Sequence, residues 1–242
     1  MIYQANPLVD GIIIDKTIRV RFLSKTEIEE YQKRINEEYK NNKAALESLN
    51  VLSFDEKLNQ PVGSNFFAAV KLEMMGKKVA SLPTLEKLVN SDPESLKGNY
   101  VDVPALVLHS PRDPDYKENN IIINYLLPQL KNRAKGKIEY PVLIIGGMEL
   151  VEADTPYGLN IKLTDNAVVY FDVKQLRYTH NNEQFKKLDE RGVPIFNPQG
   201  TRYFTTRKEG LSRVCLTPRL GLSTGGANLA RWARGGRIII CA

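Results

Sequence analysis

With 242 residues, 42% of them hydrophobic and 26% charged, the chain can bury one sizeable core and has the composition of a soluble globular protein. No apolar run approaches the ~20 residues needed to cross a bilayer, and no repeat recurs at a solenoid period. A formal net charge of +6 permits a polyanionic partner. However, no helix-turn-helix, zinc-finger or aromatic RNP signature accompanies that charge, so nucleic acid is not the expected partner.

Met1-Ile-Tyr-Gln-Ala-Asn-Pro lacks the basic region and apolar stretch of a signal peptide. The default expectation is therefore a cytoplasmic protein, or one carried to a cell or virion surface by other machinery. Gly11 to Ile14 and Thr17 to Phe22 read as two short strands joined at Asp15-Lys16, the second alternating Ile18, Val20 and Phe22 against Arg19 and Arg21. Ser24 and Glu27 have capping-box spacing, and a charged helix is expected from Thr26 towards Lys43. Its stripe (Ile28, Tyr31, Ile35, Tyr39) suits a helix docked along one edge, with Glu29 and Glu30 facing Lys33 and Arg34.

A second helix begins near Phe66, with Phe66, Val70 and Met74 at helical spacing and Gly76 as its natural terminator. Ser81 and Pro83 open a third at Leu82. Further on, strands are expected at 101–103, 105–109, 138–145, 159–163, 167–173, 203–206, 214–216 and 237–241. A short helix over 121–130 is interrupted near Pro128. Helices early and strands late, without regular βαβ alternation, make the class α+β.

Catalytic signals fail on their chemistry. Gly221-Leu-Ser-Thr-Gly225 has the spacing of a nucleophile elbow, but no Asp, Glu or His follows Ser223. Gly221 and Gly226 are spaced as in a phosphate-binding loop, but Ala227 and Asn228 stand where its lysine and hydroxyl belong. His109, with Asp113 and Asp115 nearby, lacks a second ligand at metal spacing, and these acids read as solvating a loop. Asp165, Asp172 and Glu183 form no recognisable acid–base pair. Cys215 and Cys241 are too far apart for a CxxC motif and are expected to be free thiols. No catalytic residue, metal or cofactor is expected, and the chain does not read as an enzyme.

The C-terminal stretch differs from the rest. Residues 201–242 carry eight Lys and Arg against one acid, Glu209. Fixed apolar positions there alternate with chemically unrelated residues, the look of a scaffold holding a cationic display surface. Trp232, between Arg231 and Arg234, reads either as a core cap or as a binding hot spot.

Three stretches together resemble a known family. Phe67-Ala-Ala-Val, Gly76-Lys-Lys and Leu82-Pro-Thr-Leu-Glu86 are similar to the two-helix segment of C-type-lectin-fold proteins related to formylglycine-generating enzymes, with Val79-Ala-Ser81 as extra residues. Gly236-Arg-Ile-Ile-Ile resembles the terminal strand of that fold. The segment from Gly210-Leu-Ser-Arg-Val to Leu229-Ala resembles the variable region of target proteins of diversity-generating retroelements, archaeal members in particular. In that family an error-prone reverse transcriptase rewrites adenines at the 3′ end of the gene.

The resemblance implies a C-type lectin fold, with two helices on a small, mainly antiparallel, twisted sheet. Residues 1–60 would supply N-terminal strands and a helix on the same core. Residues 61–242 would form the lectin-fold domain, with a variable region at about 210–238. It implies an unidentified macromolecular ligand, expected to be a protein, contacted by Cys215, Thr217, Arg219, Gly221, Ser223, Thr224, Gly225, Gly226, Ala227, Asn228, Arg231, Trp232, Ala233 and Arg234. Leu211, Ser212, Arg213, Val214, Leu216, Leu220, Leu222, Leu229, Ala230, Gly236 and Arg237 would be framework. The alternative is a formylglycine-generating-enzyme-like or sugar-binding domain. Against it, the closely spaced cysteine pair for copper and the calcium-binding lectin motifs are missing, and Asn197-Pro-Gln does not reproduce the latter.

Overall fold

The computed structural model describes residues 8–14 and 17–242. The expected Asp15-Lys16 junction lies outside them. β1 (Ile12–Ile14) and β2 (Ile18–Phe22) pair antiparallel. The capping box forms as expected: Ser24 Oγ accepts from Glu27 N–H, and the Glu27 carboxylate accepts from Ser24 N–H. It starts α1 (Lys25–Glu38), whose Ile28, Tyr31 and Ile35 are buried. The helix stops sooner than expected, and a separate α2 (Lys43–Leu49) begins where the Asn42 side chain caps Ala45 N–H. The surface pairs also shift: Lys33 meets Glu37 and Arg34 meets Glu38, not Glu29 and Glu30.

The hairpin β3 (Ser53–Asp55) and β4 (Gln60–Val62) precedes α3 (Phe66–Met74), β5 (Lys78–Val79) and α4 (Leu82–Ser91), capped by Ser81. Met74, expected in the buried stripe, is 38% exposed, and its sulfur accepts from Leu150 N–H. The two strands expected around Pro104 are one strand, β6 (Tyr100–Leu108). The helix expected to break near Pro128 runs through it as α5 (Asn119–Ala134). Burial of Ile122, Ile123, Leu126 and Leu130 contributes about 1.5–3 kcal/mol per side chain, which outweighs one missing backbone hydrogen bond.

β7 (Val142–Ile145) is followed by the hairpin β8 (Met148–Glu152) and β9 (Leu159–Leu163), then β10 (Val168–Tyr170), β11 (Gln184–Leu188) and β12 (Pro194–Phe196). The chain ends with β13 (Arg202–Thr206), β14 (Leu211–Leu216), β15 (Leu222–Gly226), β16 (Gly236–Arg237) and β17 (Ile239–Cys241). The architecture is α+β with five helices among the described residues.

The large sheet has nine strands, ordered β10-β7-β6-β14-β15-β13-β11-β12, with β16 beside β6. Its pairings are antiparallel except β13 with β15 and β16 with β6. A second sheet, β1-β2-β17-β5, joins the two ends of the described chain. The large sheet exceeds the small sheet expected because β11, β12 and β15 were not legible as strands, and β8 pairs with β9 apart from it.

Both faces of the large sheet are covered. Leu106, Leu108, Ile144 and Leu211 share one core with residues of α1, α3 and α5; Val103, Val107, Val214 and Leu216 share the other with α4, Phe185 and Phe204. Successive strand side chains point to opposite faces, so the apolar run Ala105-Leu-Val-Leu feeds both cores at once. Residues 23–52 of the first sixty join the first core, and Leu8, Ile14, Val20 and Phe22 join the second. No helix among the described residues is long and apolar enough to cross a membrane.

One ion pair crosses the second core. Arg202 Nη1 donates to Glu86 Oε2 at 2.6 Å and Arg202 Nε to the Leu220 carbonyl at 2.7 Å, both side chains being under a tenth exposed. Glu86 Oε1 and Arg202 Nη2 have no hydrogen-bond partner. A pair so incompletely satisfied adds little over an apolar isostere, but losing one member strands a buried charge. Arg202→Met is expected to cost about 3–5 kcal/mol in urea unfolding. The double variant Arg202→Met/Glu86→Leu should recover most of that loss; equal loss in both would refute this balance.

Glu73 on α3 borders a small cavity of about 40 Å³ with Val103, Pro104 and Gly146, and burial raises its carboxyl from 4.5 to about 7. The folded carboxyl keeps its proton over a range in which the unfolded one has lost it, so this group withdraws stability as pH rises from 4.5 to 7. Glu73→Gln should therefore gain on the order of 1–2 kcal/mol over the parent at pH 8 and nothing at pH 4, read from paired urea titrations.

Candidate functional site

β14 lies between β6 and β15, and its register slips on both sides. Arg213 faces Leu106 and Cys215 faces Asp102 on β6; across β15 the same residues face Gly226 and Ser223. Pro104, which has no N–H to give a ladder, lies in the β6 bulge. Arg213 and Cys215 share the Leu211 face of the sheet, opposite the buried Val214 and Leu216. The cleft there, about 520 Å³, has Asp102, Arg213, Cys215, Ser223 and Gly225 among its lining and Tyr100, Tyr116 and the 227–233 stretch around them.

A buried pair forms part of the cleft lining. Asp102, 2% exposed, accepts from Arg213 Nη1 at 2.9 Å with one oxygen and from Ser64 Oγ with the other. Burial raises its carboxyl above the usual range, against the pull of Arg213 and Ser64. Burial, aided by Asp102, also pushes the Cys215 thiol up to about 12, so it stays protonated and weakly nucleophilic at neutral pH. Both cysteines are free, as expected.

Nine of the fourteen residues expected to contact ligand line this one cleft: Cys215, Ser223, Gly225, Gly226, Ala227, Asn228, Arg231, Trp232 and Ala233. Trp232 is 55% exposed and so does not cap the core. Arg234 borders an adjacent depression with Trp232.

The other four lie elsewhere. Thr224 is 1% exposed and donates its hydroxyl to Thr206, because strand alternation turns it away from Ser223 and Gly225. Thr217, Arg219 and Gly221 belong to the β14–β15 turn, where Thr217 Oγ1 accepts from Gly221 N–H. A Cβ on Gly221 would stand 2.4 Å from the Tyr203 carbonyl oxygen, so this expected variable position has no space for a side chain. At Gly225 the nearest atom would be 3.6 Å away, and at Gly226 it is the movable Arg213 side chain at 3.1 Å.

The main chain of the 227–236 loop is held by side chains outside it or behind it. Asn119, fully buried, donates to the Ala227 carbonyl at 2.9 Å, to the Leu211 carbonyl and to Asp113, and accepts from Tyr157. Asn65 caps α3 and donates to the Ala230 carbonyl at 3.0 Å. Arg237 donates to the Arg234 carbonyl at 2.8 Å. None of these bonds depends on the identity of a loop side chain. Neither Asn65 nor Asn119 stood out in the sequence, since the carbonyls that each reaches lie far along the chain.

Asp113, expected to solvate a loop, is 1% exposed and accepts both Arg207 Nη1 and Nη2 at 2.7 and 2.6 Å. Gly210, at φ +82°, packs against it so closely that a Cβ would overlap the carboxylate. His109 is buried with Nε2 against the Thr224 carbonyl, and burial lowers it to about 4, leaving it neutral at pH 7. The nucleophile-elbow and phosphate-loop spacings fall on the β14–β15 turn and β15 itself, with no helix following. Among the described residues no group of three His, Cys, Asp or Glu is placed to hold a metal.

Half of the expected cationic surface is buried or part-buried, while Lys208, Arg219, Arg231 and Arg234 are exposed. Arg202, Arg207, Arg213 and Arg234 pair with Glu86, Asp113, Asp102 and Asp55, and Arg237 is buried on backbone carbonyls. Only Lys208, Arg219 and Arg231 of the eight stay unpaired among the described residues.

In comparisons with known proteins, no family model, curated protein or solved structure matches this chain.

The glycine geometry sets an order of tolerance. Gly221→Ala should cost at least about 2 kcal/mol and Gly225→Ala no more than about 0.5 kcal/mol, measured by urea unfolding. Equal costs would contradict the assignment of turn and cleft roles.

Proposed function

We propose that the chain is a non-enzymatic display protein of C-type lectin fold that binds a macromolecular ligand, a protein in the first instance, through a C-terminal surface diversified by a retroelement. One observation carries the reading: nine residues of the expected variable set line a single cleft, while their apolar neighbours in sequence are buried. Leu211, Val214, Leu216, Leu222, Leu229 and Ile238 to Ile240 are each at most 2% exposed.

Buried positions cannot change volume freely, whereas exposed ones on a fixed backbone can. The Asn65 and Asn119 amides hold part of that backbone from outside the loop. The fold assignment draws support from α3 and α4, which pack on opposite faces of the large sheet, and from the closing strand β17, buried between β2 and β5. The overall α+β class is compatible with it.

Two measurements test the proposal. In the genome, a near-copy of the 3′ coding segment, differing at adenines and adjoining a reverse-transcriptase gene, is expected; a locus without one sinks the retroelement reading. At the protein level, a library randomised at Ser223, Gly225, Ala227, Asn228, Arg231, Trp232 and Ala233 should yield mostly folded chains, scored by protease resistance. The matched library at Leu211, Val214, Leu216, Leu222 and Leu229 should be mostly unfolded, since each truncation there costs about 2–5 kcal/mol. Similar folded fractions would overturn the division between anchors and display.

A further inference from the structure

We infer that the recognition surface extends beyond the C-terminal segment onto the β3–β4 hairpin, and that its partner is an extended acidic peptide segment with an apolar side chain between carboxylates. This rests on the proposed display function and goes further in assigning half of the surface to residues outside the display segment.

Trp232 borders two depressions at once. On one side is the 520 Å³ cleft; on the other is a bay of about 480 Å³ floored by the hairpin, with Phe54, Asp55, Lys57 and Val62 among its lining. The ring is 55% exposed, and Tyr100 in the first bay is 41% exposed. Large rings left open to water in this way, with an arginine on either side in sequence, have the composition of binding hot spots. Both bays lie open to solvent, with exposed charged side chains on their rims, unlike the enclosed pocket of a small molecule. An extended chain crossing Trp232 fits the two bays together.

One carboxylate joins the bays mechanically. Asp55 Oδ1 accepts from the backbone N–H of Lys57 and Leu58, shaping the hairpin turn, while Oδ2 accepts from Arg234 Nη2 at 3.0 Å. Arg234 holds the Asp55 carboxyl below its usual range, with the turn N–H groups acting in the same direction. The hairpin therefore stands where the arm carrying Trp232 can share it.

The charge left over identifies the partner. Every acid in the two bays is already engaged: Asp102 with Arg213, Asp55 with Arg234, and Glu56 with Lys25 at 2.5 Å. Arg231 in the first bay and Lys57 in the second have no ion pair among the described residues. Each bay thus presents one uncompensated cation beside apolar surface, and a segment with a carboxylate on each side of an apolar residue complements both.

The test pans a random dodecapeptide phage library on the immobilised full chain and measures selected, labelled peptides by fluorescence anisotropy. Enrichment of Asp or Glu on both sides of an aromatic or large aliphatic residue is expected. Arg231→Glu, Lys57→Glu and Trp232→Ala should each weaken binding about tenfold or more. Lys208→Glu, an exposed cation lining neither bay, should change it less than about twofold. Loss with Arg231→Glu and Trp232→Ala but not with Lys57→Glu overturns the hairpin's part and leaves the display function standing. Indifference to all three overturns both. Enrichment of neutral or basic peptides, an empty selection, or displacement of the peptide by a single-stranded oligonucleotide of equal length overturns the acidic-peptide partner. The two-library experiment still judges the display function separately in those cases.

Discussion

A backbone that leaves regular secondary structure near a protein's interior must find partners for its amides and carbonyls, and the 227–236 loop finds them in two buried asparagines. Asn119 reaches Ala227 from the start of α5, and Asn65 reaches Ala230 from the cap of α3. Each is also tied to the core, Asn119 through Asp113, Leu211 and Tyr157, Asn65 through Ser48 and Ala68. The loop's path is thus held from outside by these groups, alongside its own Asn228, whose Oδ1 accepts from Ala230 N–H. Without such donors its carbonyls would need water, and the cleft would have no fixed wall.

The same arrangement explains the distribution of charge. A C-terminal segment with eight cations invites the picture of a basic surface, and a polyanion would be its natural partner. Four of those arginines instead cross the molecule to acids far away in sequence, and a fifth is buried on the loop's own carbonyls. They hold β13, β14 and the loop to α4, to the segment before α5, to β6 and to the hairpin. What faces outward is Lys208, Arg219, Arg231 and the paired Arg234, with Trp232 and Tyr100 exposed around the cleft.

Much of the local structure was legible because its signals are local. The Ser24 capping box, the Ser81 cap with Pro83, and the stripe Ile28, Tyr31, Ile35 each lie within one or two turns of chain, and the elements formed where they pointed. Pro128 misled because a single lost hydrogen bond is weaker than the burial of the helix around it. β15 went unread because Ser223-Thr-Gly-Gly carries no apolar alternation; its strand state comes from β13 and β14 on either side.

The sequence by itself determined which residues of the C-terminal segment are anchors, since apolar spacing reports burial and Leu211, Val214, Leu216, Leu222 and Leu229 are all inside. It also determined the α+β class. Only the tertiary structure decided which of the remaining residues reach solvent. Strand alternation turned Thr224 inward, the Tyr203 carbonyl closed the space at Gly221, and the hairpin beside Trp232 joined the surface from some 180 residues away. Periodicity is written along the chain, but which face is open depends on what packs against it, and those neighbours come from distant sequence.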